Sequence, residues 1–279
     1  MTTGQGPLRG VRVVELVGQG PGPMGATILA DLGCDVVAVD RPSVAQKVKR
    51  ERASISPFTR GKRTISLDLK NADDVATLKE LVTHADVLVD PFRPGVCERL
   101  GIGPDVCLAL IAKLIFARMT GFGQDGPYAE RPGFDQIIQG MGGLMSVTGD
   151  TDSGPFRTGL AVADLSAGLY CALGILAALH EREVSGRGQW VHSSLLHSQI
   201  AMMDFQMARY LNDNDVPVQV GNNHPTSSPM GLFDANDGCF NLGASGEGNW
   251  KRFCDVLNKP DWYADPEFQT EPLRVKHRG

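Results

Sequence analysis

A chain of 279 residues has room for one large domain or two smaller ones. With 42% hydrophobic and 21% charged residues it has the make-up of a globular protein, which excludes a disordered chain. Its net charge of −5 gives no support for nucleic-acid binding, although a local basic pocket for an anionic ligand remains open.

The chain reads as alternating strand and helix from its start. Residues 11–16 are a short β-rich run, residues 18–23 a glycine- and proline-rich loop, residues 24–32 a helix stopped by Gly33, and residues 36–39 a second strand. This βαβ order predicts a parallel sheet with a right-handed crossover. Residues 64–69 follow as a strand, 73–84 as a helix with Val75, Leu78, Leu81 and Val82 on one face, 87–89 as a strand, 104–112 as a helix and 114–119 as a strand. The pattern predicts an α/β, doubly wound sheet.

The texture then changes. Residues 133–149 are glycine-rich, and a long loop or a frayed helix is expected there. The apolar stretch over 162–182 is as long as a bilayer span, but Asp164 and Ser166 interrupt it, so a buried core helix and no membrane span is expected. A strand over 189–193 and a helix over 195–211 close a large domain of residues 1–211. Residues 212–230 suit a linker, and residues 231–279 begin a small domain.

Several chemistries find no pattern. The cysteines 34, 97, 107, 171, 239 and 254 form no CxxC pair, and the six histidines form no HExxH, so no metal site is expected. No GxSxG nucleophile elbow occurs. The first ten residues lack the apolar run of a signal peptide, which makes a reducing cytoplasm the expected location. Gly18-x-Gly20 followed by Asp40 invites a dinucleotide reading, but Pro21 and Pro23 remove N–H groups that would face a pyrophosphate, and the third glycine is absent.

Two features do point to a site. Arg41 and Arg93 each stand straight after a strand, Arg99 lies by the same exit as Arg93, and Arg60, Lys62 and Arg63 precede the third strand; several arginines at neighbouring strand exits could clamp a phosphorylated ligand. Solvated loop charges are the competing reading, favoured for Lys47, Lys49, Arg50 and Arg52. Asp164 is the only charge between Arg157 and His180 and lies near the start of the apolar helix. The small Gly168 and Ala172 on its face would give a substrate arm a lane to the carboxylate; a structural N-cap is the alternative. The glycine-rich run 243–248 is either a mobile lid or a turn entering the helix over 249–256.

These segments resemble the family III CoA-transferases, the CaiB/BaiF group, whose fold is shared with α-methylacyl-CoA racemase. The resemblance is carried by residues 7–16, 29–37 and Asp40-Arg41-Pro42, by Gly61-Lys62-Arg63 with Leu67-Asp68-Leu69-Lys70, and by Phe92-Arg93-Pro94-Gly95 with Arg99. Residues 120–127, Ala163-Asp164, 174–179 and 185–189 complete it. It implies a Rossmann-like large domain, an interlocked homodimer, and a chain that stops inside the small domain. It implies that Asp164 is the catalytic aspartate, and that Arg41, Leu67, Leu69, Lys70, Arg93 and Arg99 hold coenzyme A. Gly20, Phe134, Asp135 and Gly246 would line the substrate pocket. Coenzyme A is then a substrate, an acyl-CoA and a carboxylic acid are the partners, and no tightly bound cofactor is expected.

The racemase uses a histidine where this chain has Phe134, and phenylalanine cannot move a proton, so CoA transfer through an aspartyl intermediate is the expected reaction. The residues around Gly18 look racemase-like, and a 2-methylacyl-CoA racemase remains the alternative, as does a non-catalytic CoA-binding relative.

Overall fold

The computed structural model describes residues 5–18, 20–42 and 58–278. The basic run at Lys47, Lys49, Arg50 and Arg52 lies outside these residues. The chain forms two compact units, one of Met1–Leu144 with Thr158–Ala208 and one of Met145–Arg157 with Arg209–Gly279.

The larger unit is built on a six-stranded, wholly parallel sheet. Its strands are β1 (Arg12–Leu16), β2 (Asp35–Asp40), β3 (Lys62–Ser66), β4 (Val87–Asp90), β5 (Ile115–Thr120) and β6 (Trp190–Ser194), in spatial order 3-2-1-4-5-6. Successive strand residues feed opposite faces. Val13, Val87, Val89, Ile115 and Ala117 pack with Leu29, Cys171 and Ile175 on one side. Val14, Leu16, Leu88 and Phe116 pack with Leu78, Val82, Cys97 and Cys107 on the other. Each such aliphatic side chain contributes ~1.5–3 kcal/mol on burial, and covering both faces gives the doubly wound fold.

The helices begin and end for local reasons. α1 (Pro21–Asp31) starts three residues earlier than the sequence reading placed it. Pro21 and Pro23 sit in its first turn, where the N–H groups have no intrahelical partner and a fixed φ is already helical. In α2 (Ala72–Thr83) the Asn71 side chain accepts from the Asp73 N–H, with Asp73 and Asp74 favoured by the helix dipole. The long apolar helix, α6, runs over Val162–Ser185 and ends at Gly186, whose φ of 72° is left-handed. By length and composition it could cross a bilayer, but Ala163, Ala167, Cys171, Ile175 and Ala178 are buried along it, as a core helix requires.

Other boundaries differ from the sequence reading. The third strand covers Lys62–Ser66 and not 64–69, because it pairs residue for residue with β2 and ends with it. Leu67 donates the last bond, to the Asp40 carbonyl, and the chain then turns away. The stretch expected as one helix over 195–211 is two, Leu195–Met202 and Asp204–Asp213, broken where Asp204 takes a φ of 43°. The glycine-rich run 133–149 holds the helix α5 (Asp135–Met141) and the short helix Leu144–Val147. Between β4 and β5 lie two further short helices, Val96–Arg99 and Pro104–Leu110.

In the smaller unit, Met230–Ala235 and Gly238–Gly243 form an antiparallel hairpin, and Glu247–Val256 and Glu271–Lys276 are its main helices. Buried Arg274 donates to the Ser228 and Phe268 carbonyls and to Glu247.

Candidate active site

The strand order reverses between β1 and β4, and the loops leaving their carboxyl ends meet there, the place where open α/β sheets bind ligands. A Cβ on Gly18 would come within 2.8 Å of Pro91, and one on Gly22 within 2.9 Å, so glycine is required for the two loops to touch. Gly20, with a φ of 76°, brings the β1 loop against the carboxylate of Asp164: a Cβ there would lie 2.7 Å from Asp164 Oδ2. Gly20 and Asp164, 144 positions apart in the sequence, are thus neighbours.

Asp164 is the third residue of α6 but does not cap it. The capping acceptor comes from Asp135, whose Oδ1 accepts from the N–H of Ala163 at 2.8 Å and of Asp164 at 3.4 Å. Asp135 Oδ2 accepts from Gln139 Nε2 at 2.6 Å. Gln139, fully buried, also donates to the Leu160 carbonyl and accepts from the Thr158 N–H, so α5 fixes the entry into α6. The Asp164 carboxylate makes no hydrogen bond among the described residues. Burial, and then the charge of Asp135, push its pKa up from 3.8 to about 6. A partly desolvated, weakly paired carboxylate of raised basicity is a good nucleophile that is still ionised at neutral pH.

One expectation about this neighbourhood is corrected. Gly168 and Ala172 do not form a lane for substrate, because α1 fills it: a Cβ on Gly168 would meet the Pro21 carbonyl at 2.8 Å and Met24 at 2.9 Å. The small residues serve close helix packing. Phe134 lies at the N-terminus of α5 and is 63% exposed in this unit.

The residues expected to hold coenzyme A fall into groups. Leu69, Lys70 and Arg99 line one cleft of about 450 Å³, with Lys79, Leu100 and the start of α2. Leu67 is buried in the core beneath them. Arg41 and Arg93 are exposed after β2 and β4, at the same edge of the sheet. Other basic residues are committed elsewhere: Arg60 pairs with Asp31 and Arg63 with Asp35. Lys62, 3% exposed, is bonded to Glu15 at 2.7 Å and to the Pro23 carbonyl at 2.9 Å. Gly246 belongs to the smaller unit, where it precedes the helix Glu247–Val256 with a φ of 81°.

Sequence reasoning overlooked a buried network. Arg118 on β5, 1% exposed, bonds Asp90 at the end of β4 through Nε at 2.6 Å and Glu98 through Nη1 at 2.7 Å. Gln124 accepts from the same nitrogen, and Phe116 and Trp190 lie against the guanidinium. The available signal was a lone arginine in an otherwise apolar strand, matched by the lone aspartate ending Val87–Asp90.

The comparisons with known proteins decide the family. The model of CoA-transferase family III matches residues 8–279. The chain belongs to CoA-transferase family III. Among relatives of this CoA-transferase, the succinate–glutarate CoA-transferase of Agrobacterium fabrum is 36% identical over 98% of this chain and 72% of its own length. The succinyl-CoA–D-citramalate CoA-transferase of Chloroflexus aurantiacus is 34% identical over 98% of this chain and 70% of its own. A crystal structure of a CaiB/BaiF family protein from Brucella suis is 33% identical and superposes with a TM-score of 0.84, covering 98% of this chain and 75% of that one. The expected fold and enzyme class are therefore those of this CoA-transferase, with coenzyme A as its substrate.

Proposed function

We propose that this CoA-transferase works through Asp164 as a covalent nucleophile. The carboxylate attacks the thioester carbonyl of an acyl-CoA, the C–S bond breaks, and the thiolate leaves with its electron pair. The thiolate returns to the aspartyl carbonyl of the mixed anhydride and releases the donor acid, leaving an aspartyl-CoA thioester. An acceptor carboxylate attacks that carbonyl and expels the thiolate, which then takes the acceptor acyl group and frees Asp164. Each step breaks one bond and forms one, so no oxidant or outside proton source is needed. The observation that carries this reading is the Asp164 carboxylate itself, half-buried, unbonded among the described residues, and set against a glycine that leaves space on its reacting side.

The cleft at Leu69, Lys70 and Arg99 would take the nucleotide phosphates, with Arg41 and Arg93 at the carboxyl ends of β2 and β4 as further cations. The named relatives act on succinate, glutarate and citramalate, all dicarboxylic acids, and a dicarboxylic acid is the acceptor we propose here. Exposed Ile137, Met141, Leu169 and Leu173 support a homodimer, which sedimentation would detect.

Racemisation is disfavoured because Phe134 has no proton to give and both Asp135 oxygens are held by helix capping and Gln139. A 2-methylacyl-CoA in deuterated water should lose no α-hydrogen. Hydroxylamine in the presence of acyl-CoA should modify Asp164, and label elsewhere, or none in an active enzyme, overturns the assignment. Coenzyme A binding without any exchange among a panel of dicarboxylic acids would favour a non-catalytic relative.

A further inference from the structure

The segment between β4 and the helix Pro104–Leu110 touches both halves of the proposed site. At one end Pro91 is packed against Gly18 and Gly22 of the loop that meets Asp164. At the other, Arg99 lines the cleft with Leu69 and Lys70. The segment is anchored in the core by buried Cys97, with Phe92 packed against the same cluster. Its helix, Val96–Arg99, is a single turn entered through Gly95, which has a φ of 80°. The Arg99 guanidinium folds back over that glycine, 3.1 Å from where a Cβ would stand.

Arg118 ties it down at two further points. Its Nε holds Asp90, whose Oδ1 accepts from the Phe92 N–H at 2.8 Å and so sets the turn out of β4. Its Nη1 holds Glu98, the residue next to Arg99. One buried guanidinium thereby pins both ends of the Asp90–Glu98 excursion to the sheet.

We propose that Arg118 is a positioning residue which, through Glu98, aims Arg99 into the nucleotide cleft. The inference rests on the reading that this cleft takes coenzyme A, and it predicts an effect whose sign is opposite to that of simple charge. Glu98 is an anion beside a site for a polyanion. If it acted only through its charge, Glu98→Gln would tighten binding of coenzyme A. If it holds the turn for Arg99, the same change weakens binding, because a charge-assisted bond to a buried guanidinium is lost.

The test is calorimetric titration of coenzyme A into the full chain at fixed ionic strength. Glu98→Gln, at a side chain 43% exposed and so tolerant of change, should raise Kd about tenfold, equivalent to ~1.4 kcal/mol. Arg118→Lys keeps a cation beside Asp90 but cannot reach Asp90, Glu98 and Gln124 together, and should raise Kd at least as much. In an Arg99→Gln background, Glu98→Gln should change Kd by less than about twofold, since the residue it positions is gone. Unchanged or tighter binding by Glu98→Gln overturns the inference, as does a tenfold loss that persists without Arg99. Wild-type chain that binds no coenzyme A overturns the reading of the cleft itself, and that failure is visible before any variant is compared.

Discussion

Replacing Asp164 with asparagine should make the protein inactive and more stable. The folded chain holds the Asp164 proton more tightly than the unfolded chain does, with a pKa moved from 3.8 to about 6, first by burial and then by Asp135. At ~1.4 kcal/mol per pH unit, the ionised carboxylate costs at most ~3 kcal/mol of stability. Partial solvent screening at this half-buried site reduces that to ~1–2 kcal/mol. The amide carries no charge and is spared the cost. Because the unfolded form loses its proton first, the penalty is absent below about pH 4, grows as pH rises through the interval to about 6, and is complete above it. Scanning calorimetry of wild type and Asp164→Asn at pH 4 and pH 8 measures this directly. The midpoint difference should be close to zero in acid and reach several degrees at pH 8, at about 2–4 °C per kcal/mol for a chain of this size. A variant less stable than wild type at pH 8, or a difference that shrinks as pH rises, would refute the reasoning.

The same carboxylate sets the pH dependence of turnover: kcat/KM should rise with pH through about 6 and level off above it, as Asp164 ionises. Asp135→Asn keeps an acceptor for the Ala163 N–H but removes the neighbouring charge, so the rising limb should move toward acid without reaching 3.8, since burial remains; a limb that stays or moves up contradicts this. Gly20→Ala places a Cβ 2.7 Å from Asp164 Oδ2 at a φ of 76°, and displacement of the nucleophile should lower kcat by about 10²-fold in steady-state assays. Lys62→Met strands Glu15, 1% exposed, without its partner and should cost ~3–5 kcal/mol in urea unfolding. Adding Glu15→Gln should recover part of that loss, and no recovery would mean that packing, not charge, is what Lys62 supplies.

The sequence alone determined the alternation of strand and helix, because apolar periodicity and the stop signal at Gly33 are local properties of the chain. It also isolated Asp164, since the only charge between Arg157 and His180 is conspicuous in an apolar run without coordinates. Tertiary structure decided which carboxylate does what. Asp135, from another helix, accepts from the Ala163 and Asp164 N–H groups that the N-cap Ala161 has no side-chain oxygen to satisfy, so Asp164 is not a capping residue. The small residues beside Asp164 looked like access and proved to be a helix contact, a distinction that depends on what lies opposite. Charges were the least legible feature. Lys62 read as a loop cation but is buried against Glu15 two strands away, and nothing local to Arg118 pointed to Glu98. Partners across a parallel sheet are set by register and strand order, and neither is encoded in any short stretch of the chain.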